Sequence, residues 1–242
     1  MGMSVRDVVV EPRLIFSHHV LPGQYLLQSG TVGGGTLGWF REILGRPDLP
    51  FEALSEEAAT AAPGSGGLVF LPYMAGERTP LWSSTARGVF VGLSYATRRA
   101  EMVRSIMEGC AFAVYDNLRI AEATGVTVTE WLGTGGAARS ATWNQVKADV
   151  TGRPFVVARR ADGGEGGHGL GLFALGARAA GLAGDPGETV ERMLPGRRVY
   201  EPDPARHARY AELFEVYLAL SRGLLPTFDR LAAVTAAGSA IQ

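Results

Sequence analysis

This chain has a single cysteine, Cys110, in 242 residues. No disulfide framework can form within it, and a reducing, intracellular compartment suits it. It also has no uninterrupted apolar run near the roughly 20 residues that cross a bilayer, and no secretory signal at its start. Nor does charge of one sign dominate, since 23 Lys and Arg stand against 24 Asp and Glu. That balance gives no electrostatic reason to expect nucleic acid or an anionic membrane as partner, and Arg159-Arg160 and Arg197-Arg198 read as solvated surface. With 46% apolar and 19% charged residues, the composition is that of a folded globular protein and not a disordered one. The expected location is the cytoplasm.

Glycine is what the chain has in excess. Its 33 glycines are nearly twice the usual ~7% share, and they gather where patterned segments end. Residues 14–18 and 24–28 are β-favouring runs around Leu21-Pro22-Gly23 and predict a hairpin. Gly33-Gly34-Gly35 opens a helix with Leu37, Phe40, Ile43 and Leu44 on one face. A short helix over 55–60 and a breaker cluster over 62–67 come next, then strands over 68–71 and 88–93. Residues 98–124 carry the clearest helical period, through Val103, Ile106, Met107, Cys110, Val114 and Leu118. Cys110 there is a small core residue, not a nucleophile. The pattern continues with a strand over 126–132, a helix over 140–150 and a strand over 154–157. Helices over 165–180 and 206–225 follow, and the tail from Ala232 is expected to fray. A hairpin followed by alternating helices and strands predicts one α/β domain, a mixed sheet covered by helices.

The chemistry concentrates at residues 131–140, WLGTGGAARS. A strand end without side chains at Gly135 and Gly136 lets a flat ligand approach the backbone. The helix behind it offers free N–H groups and a positive dipole end. Ser140 at the helix start either caps it or bonds to a ligand. Taken alone, such a turn is most often only a turn. Glu165-Gly166-Gly167-His168 has the Glu-x-x-His spacing of carboxylate metal sites, but it occurs once and without partner carboxylates, so no metal centre is expected.

The order of motifs is more specific than any one of them. Residues 34–41 (GGTLGWFR), 76–82 (GERTPLW), 87–93 (RGVFVGL), 108–111 (EGCA), 135–140 (GGAARS) and 165–176 follow in that sequence. The series resembles the C-terminal domain of the FGGY carbohydrate kinases, the xylulokinase-like branch most closely, from about Pro22 to Tyr217. The resemblance implies an actin-like ATPase (ribonuclease H-like) fold. It implies ATP and Mg²⁺ as cofactors and a sugar or polyol, xylulose-like first, as the substrate. It also implies that Gly135, Gly136 and Ser140 lie at the adenosine and Gly34 near the phosphate-to-ribose region. Arg78 and Glu108 are family positions read here as structural, an Arg pinning a loop and a Glu pairing with it. Asn144 and Gln145 read equally well as an exposed helix face.

Phosphoryl transfer to an alcohol needs a base, a metal ion and donors around the moving group. In these kinases the base and the sugar contacts come mainly from an N-terminal domain. No Asp here matches the base, Asp162 reads as a turn residue, and Gly2-Met3-Ser4 is at best a remnant of a phosphate-holding turn. The chain therefore reads as one nucleotide-binding domain over 1–242, inactive in sugar phosphorylation without an N-terminal domain. The competing reading is a non-catalytic, actin-like nucleotide-binding or homodimerising module descended from a kinase. A Rossmann-type transferase is disfavoured, because no G-x-G-x-x-G opens a first βαβ unit.

Overall fold

A computed structural model describes residues 1–30, 33–160 and 168–239. Among the described residues the strands form three small sheets. The first is antiparallel, order β1-β3-β2, from β1 (Gly2–Val5), β2 (Ile15–His18) and β3 (Tyr25–Gln28). The predicted hairpin is therefore present, with Ile15 opposite Gln28 and His18 opposite Tyr25. Gly2–Val5 pairs along β3 and buries Met3, so this segment is a strand and not a phosphate-holding turn. The second sheet pairs β4 (Val69–Leu71) with β5 (Val89–Val91). The third is mixed. In it β6 (Trp131–Gly133) runs parallel to β7 (Phe155–Arg159), and β8 (Gly196–Tyr200) runs antiparallel to β7.

Helices pack around these sheets: α1 (Gly34–Ile43), α2 (Phe51–Thr60), α3 (Arg99–Glu122), α4 (Ala141–Thr151), α5 (His168–Ala179), α6 (Pro186–Met193), α7 (Pro204–Gly223) and α8 (Leu225–Ser239). α3 is the axis of the core. Val103, Ile106, Met107 and Leu118 are fully buried on it, and α2, α4, α7 and β4 all lie against it. A ring cluster of Phe112, Tyr210, Phe214 and Tyr217 joins α3 to α7, at 5.5–6.1 Å between centroids. The Tyr73 and Tyr217 hydroxyls bond to each other at 2.8 Å, which satisfies two polar groups deep in apolar surroundings.

Several differences from the sequence pattern have clear causes. The strand expected over 126–132 shrinks to Trp131–Gly133, since ladder pairing begins only where Trp131 meets Phe155. Upstream, Val126 and Val128 pack against Leu14, Leu27 and Ile120 without a strand partner. α6 was signalled by Asp185-Pro186, as Asp185 Oδ1 accepts from the Gly187 and Glu188 amides and proline suits the first turn. β8 is a strand with exposed Arg197 and Arg198, a charged outer strand whose pattern mimics a loop. The tail from Ala232 is helical, as α8 runs to Ser239 with an alanine-rich sequence that favours helix, and the buried Phe228 of that helix lies ahead of the tail.

Candidate functional site

β6 ends at Gly133, where a Cβ would overlap the Phe155 ring. Gly135 follows at φ 79°, a left-handed conformation that favours glycine. The chain then makes a tight 3₁₀ turn over Gly136–Arg139 and enters α4. Ser140 caps that helix, its Oγ accepting from the Trp143 amide at 3.0 Å. Asn144 Nδ2 donates to the Ala138 carbonyl at 2.6 Å, pinning the turn from below. Asn144 is fully buried and Gln145 bonds to Asp149 and to the Glu201 carbonyl. These two residues are thus turn and helix anchors, not an exposed face.

This turn forms one wall of a cleft of ≈ 580 Å³, inside the size range of small-molecule sites. α2 forms the opposite wall through Phe51, Glu52, Ser55 and Glu56, and Leu37, Met107 and Trp143 supply apolar floor. The walls are tied across the cleft, with Ser55 Oγ and Ser140 Oγ 2.6 Å apart and Thr142 Oγ1 donating to the Ser55 carbonyl at 3.0 Å. Only one proton can lie between two hydroxyls, so the Ser55–Ser140 pair keeps one O–H free to donate to a ligand.

The cleft gathers Gly136 and Ser140 directly. A Cβ on Gly136 would meet nothing within 4 Å, so the absent side chain leaves open space on the cleft side. Gly135 precedes this wall without lining it, and Gly34 begins α1, whose Leu37 does line it. The α1 entry is close, since a Cβ on Gly33 would lie 3.9 Å from the Trp143 ring. The α2 wall was not legible in the sequence, because Phe51 and Ser55 carry no motif. The Glu165–Gly167 part of the last motif and Asp162 lie outside the described residues. Among the described residues no group of three or more His, Cys, Asp or Glu could hold a metal ion.

Glu108 is structural, but its partner is Arg104 at 2.8 Å and not Arg78. The Arg78 guanidinium instead lies 5.9 Å from the Trp82 ring on the surface. Spacing explains the difference, because Arg104 is one helical turn from Glu108 whereas Arg78 sits on a separate loop. Cys110 is buried and its thiol is pushed up to about 12 by desolvation, in keeping with a core role.

Behind the turn, the Lys147 ammonium lies 5.0 Å from the Trp143 ring and 4.7 Å from the Phe155 ring. Burial pulls its pKa down to about 8, with Cys110 acting in the opposite direction. An unfolded lysine keeps its proton to near 10.4, so between about pH 8 and 10 the unfolded chain binds more protons and stability rises with pH. Lys147→Met is expected to erase that rise and to raise the melting midpoint at pH 7 by about 2–5 °C. Thermal melts of both proteins across pH 7–10 test this.

The described residues include no helix long and apolar enough to cross a membrane. The architecture is that of the actin-like ATPase fold of solved sugar kinases. It superposes on the ligand-bound xylulose kinase from Lactobacillus acidophilus with a TM-score of 0.80 and 29% identity, covering 95% of this chain and 46% of that one. Residues 11–180 match the C-terminal domain of the FGGY family of carbohydrate kinases, and the chain belongs to that family. It is 32% identical over 212 residues to the xylulose kinase of Escherichia coli K12, covering 86% of this chain and 42% of that protein. It is 31% identical over 245 residues to the gluconokinase of Bacillus subtilis 168, covering 95% and 47%. The chain therefore spans less than half the length of these relatives.

Proposed function

We propose that this chain forms the adenosine-side wall of an ATP-dependent carbohydrate kinase. The observation that carries this reading is the cleft that brings Gly136 and Ser140 against α2. Its apolar floor of Leu37, Met107 and Trp143 suits a purine, and the spare Ser55–Ser140 proton suits an acceptor on base or ribose. Gly135 and Gly136 let the nucleotide approach the backbone, and Gly34, at the start of α1, sits towards its phosphates, where free helix N–H groups favour anions. With no acidic cluster among the described residues, Mg²⁺ enters with the nucleotide phosphates, its usual partners.

The acceptor is a sugar or polyol of the xylulose type, in keeping with the named xylulose kinases among the relatives. Gluconate is the second choice, supported by the gluconokinase match over 95% of the chain. The base and the sugar contacts come from outside these 242 residues, so the chain alone does not phosphorylate sugar.

Titration calorimetry with ATP tests the site. A Gly136→Trp protein is expected to keep its melting midpoint, since that side chain enters open space, and to bind ATP at least about 100-fold more weakly. Unchanged ATP affinity in Gly136→Trp would place the nucleotide elsewhere. Robust ATP-dependent xylulose phosphorylation by the purified chain would refute the division of labour.

A further inference from the structure

The loop carrying Glu77 and Thr79 lies between the end of β3 and the C-terminal half of α3. The Gly30 amide donates to Thr79 Oγ1 at 2.9 Å, and Asn117 Nδ2 donates to the Thr79 carbonyl at 3.2 Å. In this junction several buried oxygens meet no donor. They are both carboxylate oxygens of Glu77, Oδ1 of Asn117 and Oγ of Ser29, on residues 5%, 0% and 5% exposed. Buried polar atoms of native proteins are normally satisfied, so orphans on residues joined to one loop through Thr79 point to an unseen partner. Asp116, beside Asn117, is also buried, but Arg222 pairs with it at 3.2 Å. Among the described residues no Arg or Lys pairs with Glu77. Burial, with repulsion from Asp116, pushes Glu77 up to about 8.

Three partners could meet this demand. A proton neutralises Glu77 and lets it donate once, but still leaves at least one carboxyl oxygen without a donor. Water donates to two of these oxygens but brings no countercharge. A cation answers both needs. We propose that this junction binds a monovalent alkali cation, with the Glu77 carboxylate as its anionic ligand and Asn117 Oδ1 among its neutral ones. The donors are all oxygen, which selects hard cations over the transition metals that prefer nitrogen and sulfur. The charge balance selects a monovalent ion. Arg222 answers Asp116, so Glu77 contributes the one unmatched negative charge, and a divalent ion would leave a net positive charge buried. The ion would staple β3, the 76–80 loop and α3 together, away from the residues that line the cleft.

Thermal melts at pH 8 and fixed ionic strength in potassium, sodium or choline chloride test the proposal. The midpoint is expected to be about 3 °C higher in at least one alkali salt than in choline. Glu77→Gln, which keeps the shape and removes the charge, is expected to lose that difference. Equal midpoints in all three salts, or an alkali effect that persists in Glu77→Gln, would overturn the site. Stabilisation by magnesium chloride alone would overturn the charge argument. Should Glu77→Gln fail to fold, diffraction from wild-type crystals soaked in thallium(I), a potassium substitute, decides. An anomalous peak beside Glu77 and Asn117 supports the site, and a map without one refutes it.

Discussion

Gly109→Val is expected to cost the fold about 3 kcal/mol or more of stability. Gly109 lies at the middle of α3, where that helix crosses β4. A Cβ on Gly109 would overlap the Phe70 carbonyl oxygen and stand 3.0 Å from its carbonyl carbon. The obstacle is backbone on both sides, so no side chain can turn away. Phe70 is held in place by its pairing with Phe90 on β5, and α3 is held by α2, α4 and α7. Relief requires separating α3 from β4, which opens the core around Ile106, Met107 and Phe70. Overpacking of this kind costs about 3 kcal/mol or more, and the total stability of a domain is roughly 5–15 kcal/mol. Circular dichroism and urea unfolding measure the outcome. Even Gly109→Ala is expected to lower the midpoint by several degrees, and a midpoint within about 1 °C of the parent would show that α3 does not approach β4 this closely.

Glu108→Ala is the second large effect, with an expected loss of about 3–5 kcal/mol. Glu108 Oε1 accepts from the Gly64 amide (2.9 Å), Arg104 Nε (2.8 Å) and the Tyr210 hydroxyl (2.6 Å), and Oε2 accepts from Ser65 Oγ (2.7 Å). Arg104 Nη2 in turn donates to the Tyr210 hydroxyl at 2.9 Å. Arg104 and Glu108 are 7% and 2% exposed. Removing the carboxylate leaves a buried guanidinium without its counterion and a backbone amide without an acceptor, and each is costly in a low dielectric. The double variant Arg104→Met/Glu108→Leu is expected to recover more than half of the loss, because it removes the stranded charge. The effect should reach the cleft too. Gly64 and Ser65 follow α2, so releasing them loosens the wall that carries Ser55, and ATP affinity is expected to fall along with stability. Chemical denaturation of the single and double variants measures the first effect, and calorimetry with ATP the second.

The EGCA motif shows how far the chain can be read without coordinates. Its residue types restrict what stands there: a carboxylate, a position without a side chain, and a small apolar residue. Nothing local says that the carboxylate meets a loop 43 residues away or that the glycine touches a strand carbonyl. The same holds for the cleft. Gly135, Gly136 and Ser140 form a recognisable strand–turn–helix segment, so one wall was legible. Phe51 and Ser55 occupy an ordinary amphipathic helix, and only its docking on α3 and α4 makes them the other wall.

The sequence by itself determined the α/β class, the long helix over 98–124, the hairpin, the glycine turn and the family resemblance. All of these rest on local periodicity, turn chemistry and motif order, which neighbouring residues encode. The tertiary structure alone decided that the strands divide among three small sheets and that Arg104, not Arg78, answers Glu108. It also decided that Asn144 holds the turn from beneath and that Glu77 and Asn117 are buried among unmatched oxygens. Each of these depends on which distant segments come into contact, and contact across a fold is set by packing and burial, not by spacing along the chain.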